Sequence, residues 1–221
     1  MTRKLEAVLF DLDGTLVDSA PDLIATVGWL RQQHGLAPIE LSSLGHLASR
    51  GALGLIEAGF ADRPELDRAL LRAEFLEYYA DHLWINSRPY TGIERLLDAL
   101  SEHNMPAAVV TNKPTQLAAA LIEAAGWRQR FGCVIGGGCT ERPKPHPAPV
   151  LEACRRLGVR PTETWMVGDD RRDIEAGRRA GSLTVAAAWG YLAGDDPAEW
   201  NAHQVLASPQ DLHMFYMKNN A

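Results

Sequence analysis

The stretch Leu5-Glu6-Ala7-Val8-Leu9-Phe10-Asp11-Leu12-Asp13-Gly14-Thr15 decides how the rest of the chain is read. A mostly apolar run, Leu5 to Phe10, stops abruptly at carboxylates and a glycine. A short run bounded by a turn signal suits a strand buried on both faces of a parallel sheet, with Asp11 at its carboxyl end and a loop beyond. Asp11 and Asp13 stand two residues apart. Carboxylates this close repel when both are ionised, so the pair points to a bound cation; a solvated, turn-forming Asp pair is the plainer alternative. Carboxylate and carbonyl oxygens are hard ligands, which makes Mg2+ the expected metal and leaves room for a phosphate oxygen.

Three further apolar runs end the same way: Ala107 to Val110 before Thr111-Asn112-Lys113, Trp165 to Val167 before Gly168-Asp169-Asp170, and Leu183 to Ala188 before Trp189-Gly190. Cys133 to Ile135, ahead of three glycines, is a fainter fifth. Helical patterns lie between them, at Ile93 to Leu100, Gln116 to Ala125, Pro147 to Leu157 and Asp173 to Ala180. This alternation predicts an α/β fold, a Rossmann-like doubly wound parallel sheet whose ligands bind beyond the carboxyl ends of the strands.

The stretch from Asp18 to Asn86 breaks the alternation and reads as successive helices. Leu66, Ala69, Leu70, Ala73, Phe75, Leu76 and Tyr79 recur at spacings that suit one helix face. We therefore expect an inserted helical domain over residues 18–86 and a core made of residues 1–17 and 87–221, with the Pro- and Gly-containing segment Asn86 to Gly92 as a linker.

Composition narrows the classes. At 221 residues with 46% hydrophobic and 23% charged residues, the chain is long enough for one core plus an insertion and is neither fibrous nor disordered. A net charge of −6 gives no broad basic field for a nucleic acid backbone, so any anionic substrate must be held by local charge. The three cysteines, Cys133, Cys139 and Cys154, lack metal-site spacing and read as reduced thiols. The basic start at Met1-Thr2-Arg3-Lys4 is followed by an apolar stretch too short for a signal peptide or a membrane span, so a cytoplasmic protein is expected.

Each polar cluster has two readings. Thr111 and Asn112 offer a hydroxyl and an amide for phosphate oxygens, or simply cap the helix that follows. Lys144, in Arg142-Pro143-Lys144-Pro145-His146-Pro147, sits in a stiff loop suited to binding an anion, or is a solvating lysine; His146 is read as structural or supporting. Asp169, Asp170 and Asp173 crowd one strand end and call for a cation, although Asp173 also suits a helix cap and Arg171 and Arg172 suit local counter-charges.

In this order along the chain, Asp11-Leu12-Asp13-Gly14-Thr15, Thr111-Asn112, Lys144 and Gly168-Asp169-Asp170-x-x-Asp173 resemble the four motifs of the haloacid dehalogenase superfamily. The resemblance implies that Asp11 is the nucleophile and a magnesium ligand. It makes Asp13 the general acid and base with its backbone carbonyl on the metal, and Asp169 the remaining carboxylate ligand. Asp170 or Asp173 would hold metal-bound waters, and Thr111, Asn112 and Lys144 would bind the phosphoryl group. The implied chemistry is an aspartyl phosphate formed on Asp11 and then hydrolysed with the help of Asp13. Asp13 favours phosphoryl transfer over carbon–halogen cleavage, because the dehalogenase branch does not keep a second Asp there; Leu12 stands where the related ion pumps carry lysine.

In the resembled superfamily an insertion after the first motif is a helical C1 cap that selects the substrate, and Ser49, Arg50 and Gly51 fall where such a cap has its specificity loop. Arg50 is thereby expected to meet a substrate carboxylate. The Phe10 to Ser19 pattern, the Thr111-Asn112-Lys113-Pro114 run and Trp189-Gly190-Tyr191 are similar to phosphoglycolate phosphatases; Asp195 to Ala202 is similar to N-acetylmuramic acid 6-phosphate phosphatases. The expected partner is a small phosphomonoester, with no nucleic acid and no membrane, and the chain a monomer or homodimer. A phosphomutase of the β-phosphoglucomutase type and a non-catalytic metal-binding interaction protein are the alternatives.

Overall fold

A computed structural model describes residues 4–220. The basic start at Met1 to Arg3 and the final residue of the expected core, Ala221, lie outside the described residues. Six strands form one parallel sheet in the order β5-β4-β1-β6-β7-β8. They are β1 (Ala7–Phe10), β4 (Ala107–Pro114), β5 (Cys133–Gly137), β6 (Thr164–Gly168), β7 (Leu183–Ala187) and β8 (Gln204–Leu206), while β2 (Val17–Asp18) and β3 (Arg88–Pro89) form a separate antiparallel ribbon. All four residues of β1 are buried, because helices cover both sheet faces and leave no position for a polar side chain.

The chain builds β4 and β5 on one side of β1, then crosses to build β6, β7 and β8 on the other. The direction of winding reverses at β1, and in open sheets of this kind the crevice lies at that switch point. Asp11 therefore emerges between the ends of β4 and β6, at the position where both neighbouring loops can reach it.

The core helices are α4 (Ile93–Glu102), α5 (Thr115–Ala124), α6 (Ala148–Leu157), α7 (Arg171–Ala180) and α8 (Pro209–Asn220). Helix α7 starts with a capping box: Asp170 accepts the Arg172 N–H at 2.8 Å and Asp173 accepts the Asp170 N–H at 3.1 Å. It ends at Gly181 with φ +88°, the left-handed stop that glycine takes without a Cβ penalty.

Between β2 and β3 lie α1 (Ala20–Gln33), a run of 3-10 turns (Leu41–Arg50), α2 (Gly51–Gly59) and α3 (Arg68–His82). The buried stripe of α3 is Leu71, Phe75 and Tyr79, spaced by four residues. This differs from the face expected from the sequence: Leu70 is 54% exposed, Ala69 and Ala73 are also exposed, and Leu66 precedes the helix. The insertion is tied down where it leaves the sheet. Val17 pairs with Pro89 and Asp18 with Arg88. Asp22, 2% exposed on α1, accepts N–H groups from Ile85, Asn86 and Ser87 at 3.0, 2.8 and 2.8 Å and the Ser87 hydroxyl at 2.6 Å. None of the described helices is long and apolar enough to cross a membrane.

Candidate active site

Beyond Phe10 the ladder continues for one residue, with the Asp11 N–H donating to Val167 O at 2.9 Å. The chain then turns tightly on Leu12, whose carbonyl accepts from Leu16 and Val17 at 3.0 Å each. Gly14 has φ +83°, and a Cβ there would stand 2.1 Å from Asp169 Oδ2. Only glycine permits this approach, so the first acidic loop lies directly against the acid that ends β6.

Asp169 is fully buried and accepts from Thr15 Oγ1 at 2.8 Å and from the Tyr191 N–H at 2.9 Å. Carboxylate oxygens of Asp11, Asp169 and Asp173 lie within 4.8 Å of one another. Burial first, then the charges of Asp11 and Asp173, push the Asp169 carboxyl well above its usual range. Asp173 is pushed up to about 7, by burial and then by Asp11 and Asp170 against the opposing pull of Lys144.

Lys144 answers part of this charge. Its Nζ lies 2.9 Å from Asp11 Oδ1 and 2.6 Å from Asp173 Oδ1, and donates to Val110 O at 2.6 Å. Burial alone would lower its basicity, but the two carboxylates hold it raised and charged. Distance is not the whole contact, however: no hydrogen bond of good geometry reaches Asp11 Oδ1 or Asp173 Oδ1, and both atoms are buried. Three clustered carboxylates that one ammonium neutralises only in part fit a divalent cation.

The expected residues gather at one cavity, with some changes of task. Thr111 is buried and its Oγ1 accepts the Lys113 N–H at 3.2 Å. The Asn112 side chain, expected to face phosphate, instead clasps the backbone of Lys144: Nδ2 donates to its carbonyl and Oδ1 accepts its N–H, each at 2.9 Å. Of the two supporting acids, Asp173 joins the carboxylate cluster, whereas both oxygens of Asp170 are held by Arg172 at 2.8 Å. Burial pulls Asp170 upward, yet Arg172 leaves it below the usual carboxylate range. Arg172 also donates to Ser49 O at 2.6 Å, joining core to insertion. His146, two residues before α6, accepts the Ala148 N–H at 3.2 Å on Nδ1.

Asp13 lines the same cavity but is not one of the three clustered carboxylates. Its Oδ1 accepts from Ser19 Oγ at 2.5 Å and from Lys113 Nζ at 3.0 Å, and Lys113 also reaches Tyr79 Oη at 3.0 Å. Lys113 was not among the residues singled out by the sequence, although strand alternation carries the signal: on β4, Thr111 and Lys113 are two apart and share a face. Tyr79, on a different element, gives no such signal.

The cavity above these groups has a volume of about 250 Å3. Its floor is Asp11, Asp13 and Lys144; its roof comes from the insertion and includes Arg50, Arg72 and Leu76. Arg50 is exposed, as is Arg72, which sequence reasoning did not single out because a charged residue on an exposed helix position is unremarked.

Comparison with known proteins agrees with the geometry. Residues 5–181 match the family model described as haloacid dehalogenase-like hydrolase. The chain is 41% identical over 213 residues to an N-acetylmuramic acid 6-phosphate phosphatase of Pseudomonas aeruginosa, covering 95% of this chain and 93% of that one. It is 42% identical over 207 residues to a phosphoglycolate phosphatase of Xanthomonas campestris pv. campestris, covering 93% and 94%. A solved structure of a predicted phosphoglycolate phosphatase from Haemophilus somnus superposes with a TM-score of 0.88 at 29% identity, over 96% of this chain and 98% of that one. With its parallel sheet, acidic strand ends and buried lysine, the chain belongs to the haloacid dehalogenase-like hydrolases. Within them it is a phosphoric monoester hydrolase.

Proposed function

We propose that this enzyme is a Mg2+-dependent phosphatase that uses Asp11 as nucleophile on a small, carboxylate-bearing phosphomonoester. The observation that carries the proposal is the convergence of Asp11, Asp169, Asp173 and Lys144 at the end of β1, with Asp13 held beside them on separate partners. Asp11 attacks phosphorus and the ester oxygen leaves with a proton from Asp13, giving an aspartyl phosphate and the free alcohol. A water then attacks the same phosphorus, Asp13 takes its proton, and inorganic phosphate departs as the Asp11 carboxylate is restored. Lys144 and the Thr111 hydroxyl hold the phosphoryl oxygens, and Asn112 fixes the loop that presents Lys144.

Mg2+, when bound, supplies positive charge to the transferring group. Asp11, Asp169 and the Asp13 backbone carbonyl are the residues that would hold it, with Asp173 rather than Asp170 as the supporting carboxylate. Residues 18–86 act as the cap that shuts out water. Three unpaired cysteines support a cytoplasmic setting.

Arg50 and Arg72 on the roof support a substrate with a second anionic group. A cavity of about 250 Å3 with Leu53, Leu76 and Leu117 on its wall is filled better by a sugar acid phosphate such as N-acetylmuramic acid 6-phosphate than by two-carbon phosphoglycolate. Phosphate release across a panel of both compounds and hexose phosphates tests this. The expected result is Mg2+-dependent turnover, with kcat/KM on the sugar acid about 10-fold or more above that on phosphoglycolate. Phosphate transfer to a sugar phosphate in place of release would replace the phosphatase reading by a mutase, and silence across the panel would overturn it.

A further inference from the structure

The turn Trp189-Gly190-Tyr191 follows β7 and takes no part in the phosphoryl chemistry proposed above. Strand β7 lies next to β6 in the sheet, with Gly168 opposite Ala186, so the turn leaves the sheet beside Asp169. The Gly190 N–H closes it on Ala187 O at 3.2 Å.

Three contacts of this turn converge on Asp169. The Tyr191 N–H donates to Oδ2 at 2.9 Å. The Trp189 indole N–H donates to Thr15 O at 3.1 Å, and the hydroxyl of the same Thr15 donates to Asp169 Oδ1 at 2.8 Å. A Cβ on Gly190 would stand 2.2 Å from Asp169 Cβ and 2.4 Å from Gly14 O, so the missing side chain lets the turn close against both. Each oxygen of Asp169 thus accepts from one placed donor, and Gly14 and Gly190 both press on its side chain. Turning the carboxylate would break a hydrogen bond at a fully buried position, where an unmade bond is costly.

The turn is itself anchored. Tyr191 Oη donates to Asp18 Oδ1 at 2.9 Å and accepts the Ser19 and Ala20 N–H groups at 2.7 and 2.8 Å. The tyrosine cannot drift without giving up these three bonds, so its backbone N–H stays aimed at Asp169.

We propose that this turn is a clamp that sets the choice of metal, holding Asp169 in one orientation that suits Mg2+ and does not adjust to the larger Ca2+. Trp189 and Tyr191 are its positioning residues. Mg2+ takes oxygen ligands at about 2.0–2.1 Å in near-ideal octahedral geometry, whereas Ca2+ takes them at about 2.3–2.6 Å in flexible arrangements. A ligand locked by its own donors disfavours the ion that needs it elsewhere. A loosened ligand loses Mg2+ affinity and serves Ca2+ as well as before. The inference rests on the reading of Asp169 as a Mg2+ ligand, and its test separates the two.

The test is calorimetric titration of the metal-free chain with Mg2+ and, separately, with Ca2+, which needs no turnover. Tyr191→Phe removes the hydroxyl anchor while keeping the backbone N–H, and Trp189→Phe removes the indole donor. Each should weaken Mg2+ binding about 10-fold or more and Ca2+ binding by no more than about 3-fold. A merely structural role would lower the melting temperature and weaken both cations alike, so equal losses, or none, would overturn the clamp. Should Tyr191→Phe melt too low to titrate, Trp189→Phe, at a partly exposed position, decides by the same ratio. Asp169→Asn is the control. A parent that binds neither cation, or an Asp169→Asn variant that keeps Mg2+, defeats the metal assignment itself. A parent that binds Mg2+ and an Asp169→Asn variant that does not, beside turn variants with an unchanged ratio, defeat only the clamp.

Discussion

The two ends of the cavity are built on opposite terms. At the core end, Lys144 is almost wholly buried and pairs with Asp11 and Asp173, and the buried Asp169 is held by Thr15 Oγ1 and the Tyr191 N–H. At the cap end, Arg50 and Arg72 are exposed and are matched by no carboxylate among the described residues. A site that must do the same chemistry on every turnover is fixed by its own partners before substrate arrives. A site that must choose a substrate keeps its charges open for the ligand to pair with.

The sharpest way to break that contrast is at Asp11. Asp11→Asn removes the proposed nucleophile and should lower kcat by more than about 1,000-fold while circular dichroism and melting temperature report an intact fold. An active variant would mean that the core end does not perform covalent chemistry at all.

Next in size is the response to metal. In metal-free protein the folded state holds Asp173 at about 7, above its ordinary value of 3.8, so between these values the folded form binds more protons than the unfolded one. Its stability contribution is complete below about pH 4 and is lost as pH rises toward about 7, so the melting temperature of chelated protein should fall across that window. Saturating Mg2+ should raise the melting temperature and flatten the slope, with roughly 3 kcal/mol of stabilisation at a hundred times its dissociation constant. A pH-independent melting temperature without metal would remove the argument for a strained acidic cluster.

The cap end should give the smallest and most selective effect. Arg50→Ala or Arg72→Ala should raise KM on an acid-bearing phosphate ester by about 10-fold with little change in kcat, and leave a neutral phosphate ester unaffected. Stability should move by no more than about 0.5 kcal/mol, as for surface substitutions away from a packed feature.

The same contrast governs what is legible in sequence. Buried strands advertise themselves because an apolar run must end where polar chemistry begins, so Asp11, Thr111 and Asp169 announce the sheet and its reactive edge together. Edge strand β8 is different: Gln204 and Val205 are exposed, and the pattern carries no buried run. The Asn112 clasp on Lys144 joins residues 32 apart, and the Tyr79 contact with Lys113 joins residues 34 apart. Both follow from how loops and layers meet, which local pattern does not encode. On α3 the exposed Leu70 imitates a buried position, and only packing reveals that the stripe runs through Leu71 instead.

The ribbon that joins β2 to β3 has a consequence for how such enzymes diversify. Because Asp18 pairs with Arg88, the insertion begins and ends on adjacent strands, and Asp22 bridges the return at Ile85 to Ser87. The helical unit is thus a cassette whose two ends meet the sheet at a single doorway. Another cassette with the same end spacing would meet that doorway without disturbing a strand of the sheet, so the unit above the cavity is free to vary while the strand ends beneath it stay in place.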